Sequence, residues 1–309
     1  MLLNFKSKNT QMKKVILVAG ATGNLGNRIS KELIKRGAEV RAIVRTSTDK
    51  EKIDTLEKMG VKIFEVDMNS VDEIAKASTG VDCVVSTLAG LGDVIIDLQT
   101  RILDAAIQAG VPRFIPSDFS SDYNDLVPGE NRNFDLRRDF KNYIDSTSIK
   151  PTSIFNGCFT DILMYNTPIL NLKEKSIGYW GDNADWKLDF TTMDDTAAFT
   201  AEAALDDNAP RDLQIASFQI SPNEILADVK TASGQDYAIR QLSSLEDFSA
   251  FIKKQRAENP AGENELYAKF QQGQYMYSMF TTQNTKLAND RYKGLTWTNG
   301  LDFIKSFVK

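Results

Sequence analysis

The chain has 309 residues, 42% hydrophobic and 26% charged, with a formal net charge of −5. That balance excludes a global basic field for nucleic acid or anionic lipid, and no apolar run approaches the roughly 18 to 20 residues that span a bilayer. There is no histidine and there are only two cysteines, Cys83 and Cys158, so Ser-His-Asp and Cys-His nucleophile systems, imidazole zinc sites and thiolate metal cages are all excluded. No metal site is expected. Two lone cysteines in apolar segments suit a reducing cytoplasm.

Residues 1–11 read as a short disordered leader, because MLLNF is too brief for the apolar core of a secretory signal. Strands are then predicted over 13–20, 39–45, 61–67, 81–90, 111–117 and 151–159. Between them lie LGNRISKELIKRG, DKEKIDTLEKMG, SVDEIAKASTG, DVIIDLQTRILDAAIQAG and NFDLRRDFKNYIDST, each with apolar residues at helical spacing. Leu25, Ile29, Leu33 and Ile34 form one such stripe. The strands are apolar on both faces, as in a parallel sheet covered by helices on two sides. Strict alternation of strand and helix implies right-handed crossovers and an α/β, doubly wound parallel Rossmann sheet over 12–159.

After Phe159 the rhythm loosens. SIGYWGD and WKLDFTT read as short strands around a turn, and DDTAAFTAEAALDD as a helix capped by Asp194 or Asp195. DLQIASFQI reads as a strand, SPNE (Ser221 to Glu224) opens a helix with a capping-box pattern, and DYAIRQLS is a further strand. Residues 160–309 thus form a smaller α+β substrate-binding region, partly returning to the sheet at about 187–206 and roofing its carboxyl edge.

VILVAGATGNLG, residues 15–26, ends a strand in Gly20, Gly23 and Gly26 and opens an amphipathic helix. Glycines there allow a tight turn and let backbone N–H groups approach a pyrophosphate. The helix start offers its positive end and unpaired amides to that anion. The tip of the second strand selects the cofactor. A carboxylate there would bind the ribose 2′-OH of NAD, but this strand ends IVR-TST, with Arg45 at the tip, hydroxyls on Thr46 and Ser47, and Lys50 and Lys52 nearby. A planar guanidinium suits a 2′-phosphate. NADP(H) is the expected cofactor.

GATGNLG, IVR, VDMNS, VVSTLAG, RFIPSDF, SIFNGCF and the closing YKGLTWTNGLDFI occur in this order. The set resembles the NmrA-like and isoflavone-reductase-like branch of atypical short-chain dehydrogenases, from Met12 onward. The resemblance implies that Gly20, Thr22, Gly23, Asn24 and Leu25 wrap the pyrophosphate and Arg45 takes the 2′-phosphate. It puts Asp67 and Met68 beside the adenine, and Thr87, Leu88 and Ala89 along the passage to the nicotinamide. Pro116, Ser117 and Phe119 would lie beside the ring, with Asn156, Gly157, Cys158 and Phe159 as the far wall.

One departure bears on chemistry. None of the nine tyrosines has a lysine four residues later, so the acid of standard short-chain dehydrogenases is absent. Isoflavone-reductase-like enzymes instead carry a lysine on the helix before the sixth strand, and gapless alignment from NGCF puts Arg137 at that position. A guanidinium cannot shuttle a proton near neutral pH. Lys141, one turn on, and Tyr123, in the loop after SDF, are the other candidate donors. Hydride transfer itself needs only an acceptor held in near-attack geometry. The expected function is therefore NADPH-dependent reduction of a small aromatic, quinone-like or enone substrate. Phe119, Phe159, Met164, Tyr165, Trp180 and Gln274 to Phe280 would supply an apolar pocket. The alternative is a non-catalytic NADP(H)-binding redox sensor that acts through a protein partner.

Overall fold

The computed structural model describes residues 13–308, so the leader expected over 1–11 lies outside them. In β1 (Val15–Ala19), Ile16 and Val18 face one core and Leu17 and Ala19 the other, and all four are buried. A strand apolar on both sides must be covered on both sides. The chain continues through α1 (Asn24–Lys35), β2 (Glu39–Val44), α2 (Lys50–Lys58), β3 (Lys62–Glu65), α3 (Val71–Ala77) and β4 (Cys83–Ser86). Then come α4 (Gln99–Gln108), β5 (Arg113–Ile115), α5 (Arg132–Asp145) and β6 (Lys150–Pro151). These six strands form one parallel sheet in the order β3-β2-β1-β4-β5-β6. The order reverses between β1 and β4, and a crevice opens there at the strands' carboxyl ends.

The second half comprises β7 (Ser153–Phe155), β8 (Cys158–Phe159), β9 (Ser176–Trp180), β10 (Leu188–Thr191), α6 (Met193–Leu205), β11 (Asp212–Gln214) and β12 (Phe218–Ile220). It ends with α7 (Pro222–Ser233), β13 (Ala238–Ser243), α8 (Leu245–Glu258), α9 (Lys269–Met279) and α10 (Gly300–Phe307). Helix α6 comes back to the sheet: Ala197, Phe199 and Ala201 share a buried core with Ile29 and Leu33 of α1. Arg113 of β5, itself buried, donates to the Ala203 and Ala204 carbonyls near the end of α6. That satisfies acceptors a helix terminus leaves unpaired. On the opposite face, Ile74, Leu103, Phe140 and Ile144 bring α3, α4 and α5 together. A third core, built around Trp180, Ile225, Phe248 and Met279, belongs to the carboxyl-terminal region.

Several sequence expectations change. The strand predicted over 81–90 stops at Ser86, and Asp93–Leu98 forms a π-helical turn before α4. The run 151–159 breaks at Asn156 and Gly157 into β7, which pairs with β11, and β8, which pairs with β10. Gly157 has φ +64°, and a Cβ there would come within 2.5 Å of the Asp189 carbonyl oxygen. DLQIASFQI likewise divides, since β11 runs beside β7 while β12 runs antiparallel to β10. β9 and β10 do not pair around a turn; β9 pairs with the distant β13. Helix α6 is capped by Thr192, whose side chain accepts from the Asp195 N–H, rather than by Asp194 or Asp195. The capping box at Ser221 and Glu224 is present.

Asp189 of β10 is a buried carboxylate at the join between strand bend and roof. It accepts from Gln219 Nε2 and from the Asn284 backbone N–H, each at 2.6 Å. The Asn284 amide in turn donates to the Phe155 and Ile215 carbonyls. Burial outweighs those bonds and pushes the Asp189 carboxyl up to about 6. The folded protein therefore holds this proton more tightly than the unfolded chain. Stability from this group is full below about pH 4, falls as pH rises toward 6 and stays lower above it, by about 3 kcal/mol at most. Asp189→Asn should keep the bond from the Asn284 N–H, while turning the Gln219 amide to meet the new donor gives up its bond to the Asn284 carbonyl, at a cost of about 0.5–1.5 kcal/mol. It is expected to gain about 1–2 kcal/mol at pH 7.5 and little at pH 4, measured by urea unfolding. Equal effects at both pH values would contradict the assignment.

Candidate functional site

The turn after β1 is built around absent side chains. Gly20 has φ +85°, and a Cβ on it would lie 2.7 Å from Thr87 Oγ1. A Cβ on Gly26 would lie 2.3 Å from the Gly20 carbonyl oxygen. The Gly23 N–H donates to Gly20 O at 2.9 Å and closes the turn. Helix α1 begins after Gly23 with no side-chain cap and no acidic residue in its first turn. By contrast, α2, α3, α5 and α6 are capped by Asp49, Ser70, Asn131 and Thr192. The first-turn amides of α1 therefore have no side-chain acceptor, and the positive end of the helix lies behind them, an arrangement suited to an anion.

Arg45 is exposed just past β2, and its guanidinium has no hydrogen-bond partner among the described residues. It borders two adjoining clefts. One, about 350 Å³, is lined by Gly20, Thr22, Arg45, Lys52, Met68 and Leu88 together with Leu98 and Ile102. The other, about 450 Å³, runs past Asp67, Met68, Asp97 and Arg101. The two clefts lead from the glycine turn over the β2 tip to the end of β3. Asp67 is exposed and caps its own turn by accepting from the Asn69 N–H, while the Met68 carbonyl accepts from Arg101 Nε.

On the other side of the switch point, Thr87 donates through Oγ1 to the Ala19 carbonyl and packs against Gly20 and Gly26. It thereby fixes the crevice floor. Leu88 is half-buried and Ala89 exposed. Ser117 Oγ donates to the Leu88 carbonyl, tying the β4 and β5 ends together. Pro116 and Ser117 are buried, and Phe119 is half-buried against the α1 and α6 side of the core. Arg137 reaches this spot from α5. Its Nε donates to Ser117 O and its Nη1 to Asn133 O, each at 3.0 Å.

The other two candidate donors are placed elsewhere. Lys141 is ion-paired with Asp145 at 2.8 Å, and Asp145 is also held by Arg211. Tyr123 does not face the cleft as a loop donor: it is fully buried, with its ring between Phe134 and Phe155. Burial, with Asp118 nearby, pushes its phenol well up, so it stays protonated. The far wall is mixed. Asn156 is fully buried, with neither amide atom partnered, whereas Cys158 and Phe159 are half-buried in β8. Burial raises the Cys158 thiol to about 12, which leaves it inert as a thiolate. Met164 and Tyr165 are 45% and 71% exposed after Phe159, available to a ligand. Trp180 is not: it stacks on Phe248 at 4.3 Å inside the carboxyl-terminal core. In the Gln274 to Phe280 segment, Gln274, Ser278, Met279 and Phe280 are buried, so much of it packs rather than lines a pocket.

Sequence reading missed Leu98, Ile102, Asp97 and Arg101 as cleft residues. The apolar pair looks like any core stripe at i, i+4, and only the sheet order brings the start of α4 under the cleft. Lys52 was visible as a charge near the β2 tip, yet its placement on the glycine-turn cleft depends on how α2 packs.

A 3-2-1-4-5-6 parallel sheet, with an uncapped helix after the glycine turn and a cation at the β2 tip that has no partner among the described residues, defines a doubly wound Rossmann-type fold. The chain belongs to the NmrA-like family, whose profile matches residues 12–297. Pinoresinol reductase 1 of Arabidopsis thaliana is 27% identical over 289 residues, 87% of this chain and 89% of that protein. The structure resembles AtPrR2 with NADP+ and (+)pinoresinol, with TM-score 0.78 and 24% identity over 96% of this chain and 99% of that one. It also resembles an NADPH-dependent quinone oxidoreductase from Escherichia coli complexed with NADPH, with TM-score 0.73 and 20% identity over 95% and 100% of the two chains. Among the described residues no helix is long and apolar enough to cross a membrane.

Proposed function

We propose that this chain is an NADPH-dependent oxidoreductase that reduces a small aromatic, quinone-like or enone substrate by hydride transfer. The observation that carries the reading is the Arg45 guanidinium, unpartnered among the described residues, on a cleft that runs to Gly20 and Thr22 of the turn before an uncapped helix start. The residues fit the cofactor: the glycines let the turn pack tightly on Thr87 and the Gly20 carbonyl, and the helix start that follows carries no capping side chain. Amides of Asn24 and Leu25 would hold the pyrophosphate, and Arg45 with Lys52 the 2′-phosphate. Met68, Leu98 and Ile102 would give the adenine its apolar bed. When bound, NADPH supplies the hydride. The chain's part is to orient the acceptor over the β4 and β5 ends, between Phe119, Phe159 and the exposed Met164 and Tyr165, and to exclude water there. Relatives and structural neighbours named as reductases of pinoresinol and of quinones support a reductase.

The test is NADPH oxidation, followed spectrophotometrically, across a panel of quinones, enones and aryl substrates. Steady turnover with at least one acceptor is expected. Tight NADPH binding with no turnover on any of them would favour the redox sensor acting through a protein partner.

A further inference from the structure

A third cleft, of about 510 Å³, adjoins the glycine turn at Thr22 and has no part in the reading above. Helix α1 lines it with Asn24, Asn27, Arg28 and Lys31. These recur at i, i+3, i+4 and i+7, so they form one row along two turns of helix, about 10 Å long. Helix α2 contributes Lys52 and Thr55, and the first turn of α6 contributes Asp194. The main packing of α1 is against α6 and β2, and that of α2 is against β3. The cleft bounded by these helices therefore stays open.

Its charges do not cancel. Three cations, Arg28, Lys31 and Lys52, share it with two carboxylates, Glu32 and Asp194, and both carboxylates are committed. Asp194 is ion-paired with Arg28, whose Nε also donates to Asn24 Oδ1 at 2.9 Å. Glu32 holds Arg36, which is not on the cleft, and lies 3.7 Å from Lys35. Lys31 and Lys52 are exposed and have no partner among the described residues. Two ammonium groups from different helices thus give a local positive field in a chain of net charge −5. Thr55 adds no donor, because its hydroxyl is turned back to the Glu51 carbonyl. Ammonium groups this exposed hold a single charge weakly. A ligand with several charges in line suits the row, and its oxygens can also accept from the Asn27 amide.

We infer that this cleft is a second anion site, which takes a linear row of phosphoryl groups: a short inorganic polyphosphate or the tail of a nucleoside triphosphate. Thr22 and Lys52 line this cleft and also the one proposed for the dinucleotide. Resting on that proposal, an occupant held by Lys31 and Lys52 removes one of the two cations that would hold the 2′-phosphate. It therefore lowers the affinity for NADPH and leaves that for NADH, which has no such phosphate, nearly unchanged. Cofactor loading then responds to the concentration of phosphate-rich anions, and the site takes no part in hydride transfer.

The test is titration calorimetry of the full chain with inorganic tripolyphosphate, at fixed ionic strength and without divalent metal. One-site binding with Kd below about 1 mM is expected. Lys31 lines this cleft and not the dinucleotide cleft, so Lys31→Glu should weaken tripolyphosphate more than about tenfold and NADPH less than about threefold. Lys58→Glu makes the same charge change at an exposed position of α2 off the cleft, and should alter tripolyphosphate binding less than about twofold. Tripolyphosphate at about ten times its Kd should raise the NADPH Kd about fivefold or more and the NADH Kd less than about twofold. ATP is the second arm. Binding tighter than tripolyphosphate, and still lost in Lys31→Glu, assigns the row to a nucleotide tail; binding no tighter assigns it to a free chain. No heat up to about 10 mM, or equal losses in the Lys31 and Lys58 variants, overturns the inference. So does equal weakening of NADPH and NADH, which would seat the anion on the pyrophosphate amides instead. Lys31-dependent tripolyphosphate binding by a protein that takes up no NADPH overturns the dinucleotide reading and supports the second site.

Discussion

Replacing Arg45 by alanine is expected to raise the NADPH dissociation constant about 30- to 100-fold and to change that for NADH by no more than about twofold. Charge-assisted hydrogen bonds from a guanidinium to phosphate contribute about 1.5–3 kcal/mol when both partners are held in place. Arg45 sits at the tip of β2 with no competing partner among the described residues, so nothing in the free protein must be broken before the phosphate is taken. Lys52, on the same cleft, retains part of the attraction, which is why the loss stops short of the full charge–charge value. NADH has no 2′-phosphate and should not register the change. Equal weakening of both cofactors, by titration calorimetry, would show that Arg45 shapes the loop rather than reads the phosphate.

Gly26→Ala should be more damaging still. The added methyl would meet the Gly20 carbonyl oxygen at 2.3 Å and Thr87 Oγ1 at 2.6 Å. Neither neighbour can give way without cost. Gly20 O accepts the Gly23 N–H that closes the turn, and Thr87 is bonded by both its N–H and its hydroxyl to Ala19 O. The start of α1 must move off β1, taking with it the amides proposed to hold the pyrophosphate. A loss of about 2–3 kcal/mol in unfolding free energy is expected, with NADPH affinity down more than about 100-fold. Gly92→Ala is the matched control. Gly92 has φ −56°, and its only close neighbour would be Leu136 at 3.7 Å, so the variant should be neutral or slightly stabilised. If the two variants were equally stable in urea, the packed turn would not be the source of the constraint.

The first half of the fold was legible because its signals are local. A β-branched run, a glycine turn and an apolar stripe each announce themselves within a dozen residues, and alternation does the rest. The Arg45 tip was legible for the same reason. What sequence could not show depends on distant packing. SIFNGCF reads as one strand because every residue tolerates it; the bend at Gly157 arises from Asp189, more than thirty positions away. Tyr123 lies in an Asp-rich stretch that looks solvated. Yet Phe134 and Phe155 enclose its ring, and the Arg138 guanidinium lies 5.9 Å from its centroid. β9 joins β13 across nearly sixty residues, a pairing that no local pattern encodes. Lys141 marks the boundary between the two cases. Asp145, its i+4 partner, was in plain view, but only the structure shows the pair completed and braced by Arg211.

The central claim is that an uncapped helix mouth and one exposed guanidinium together select a phosphorylated dinucleotide. Titration calorimetry of the unmodified protein, with NADPH, NADP+ and NADH in separate runs, tests it most directly. The account predicts one-site binding of both phosphorylated forms, with NADH at least about tenfold weaker. Absence of heat with NADPH and NADP+ alike, or equal affinity for NADH, would contradict it.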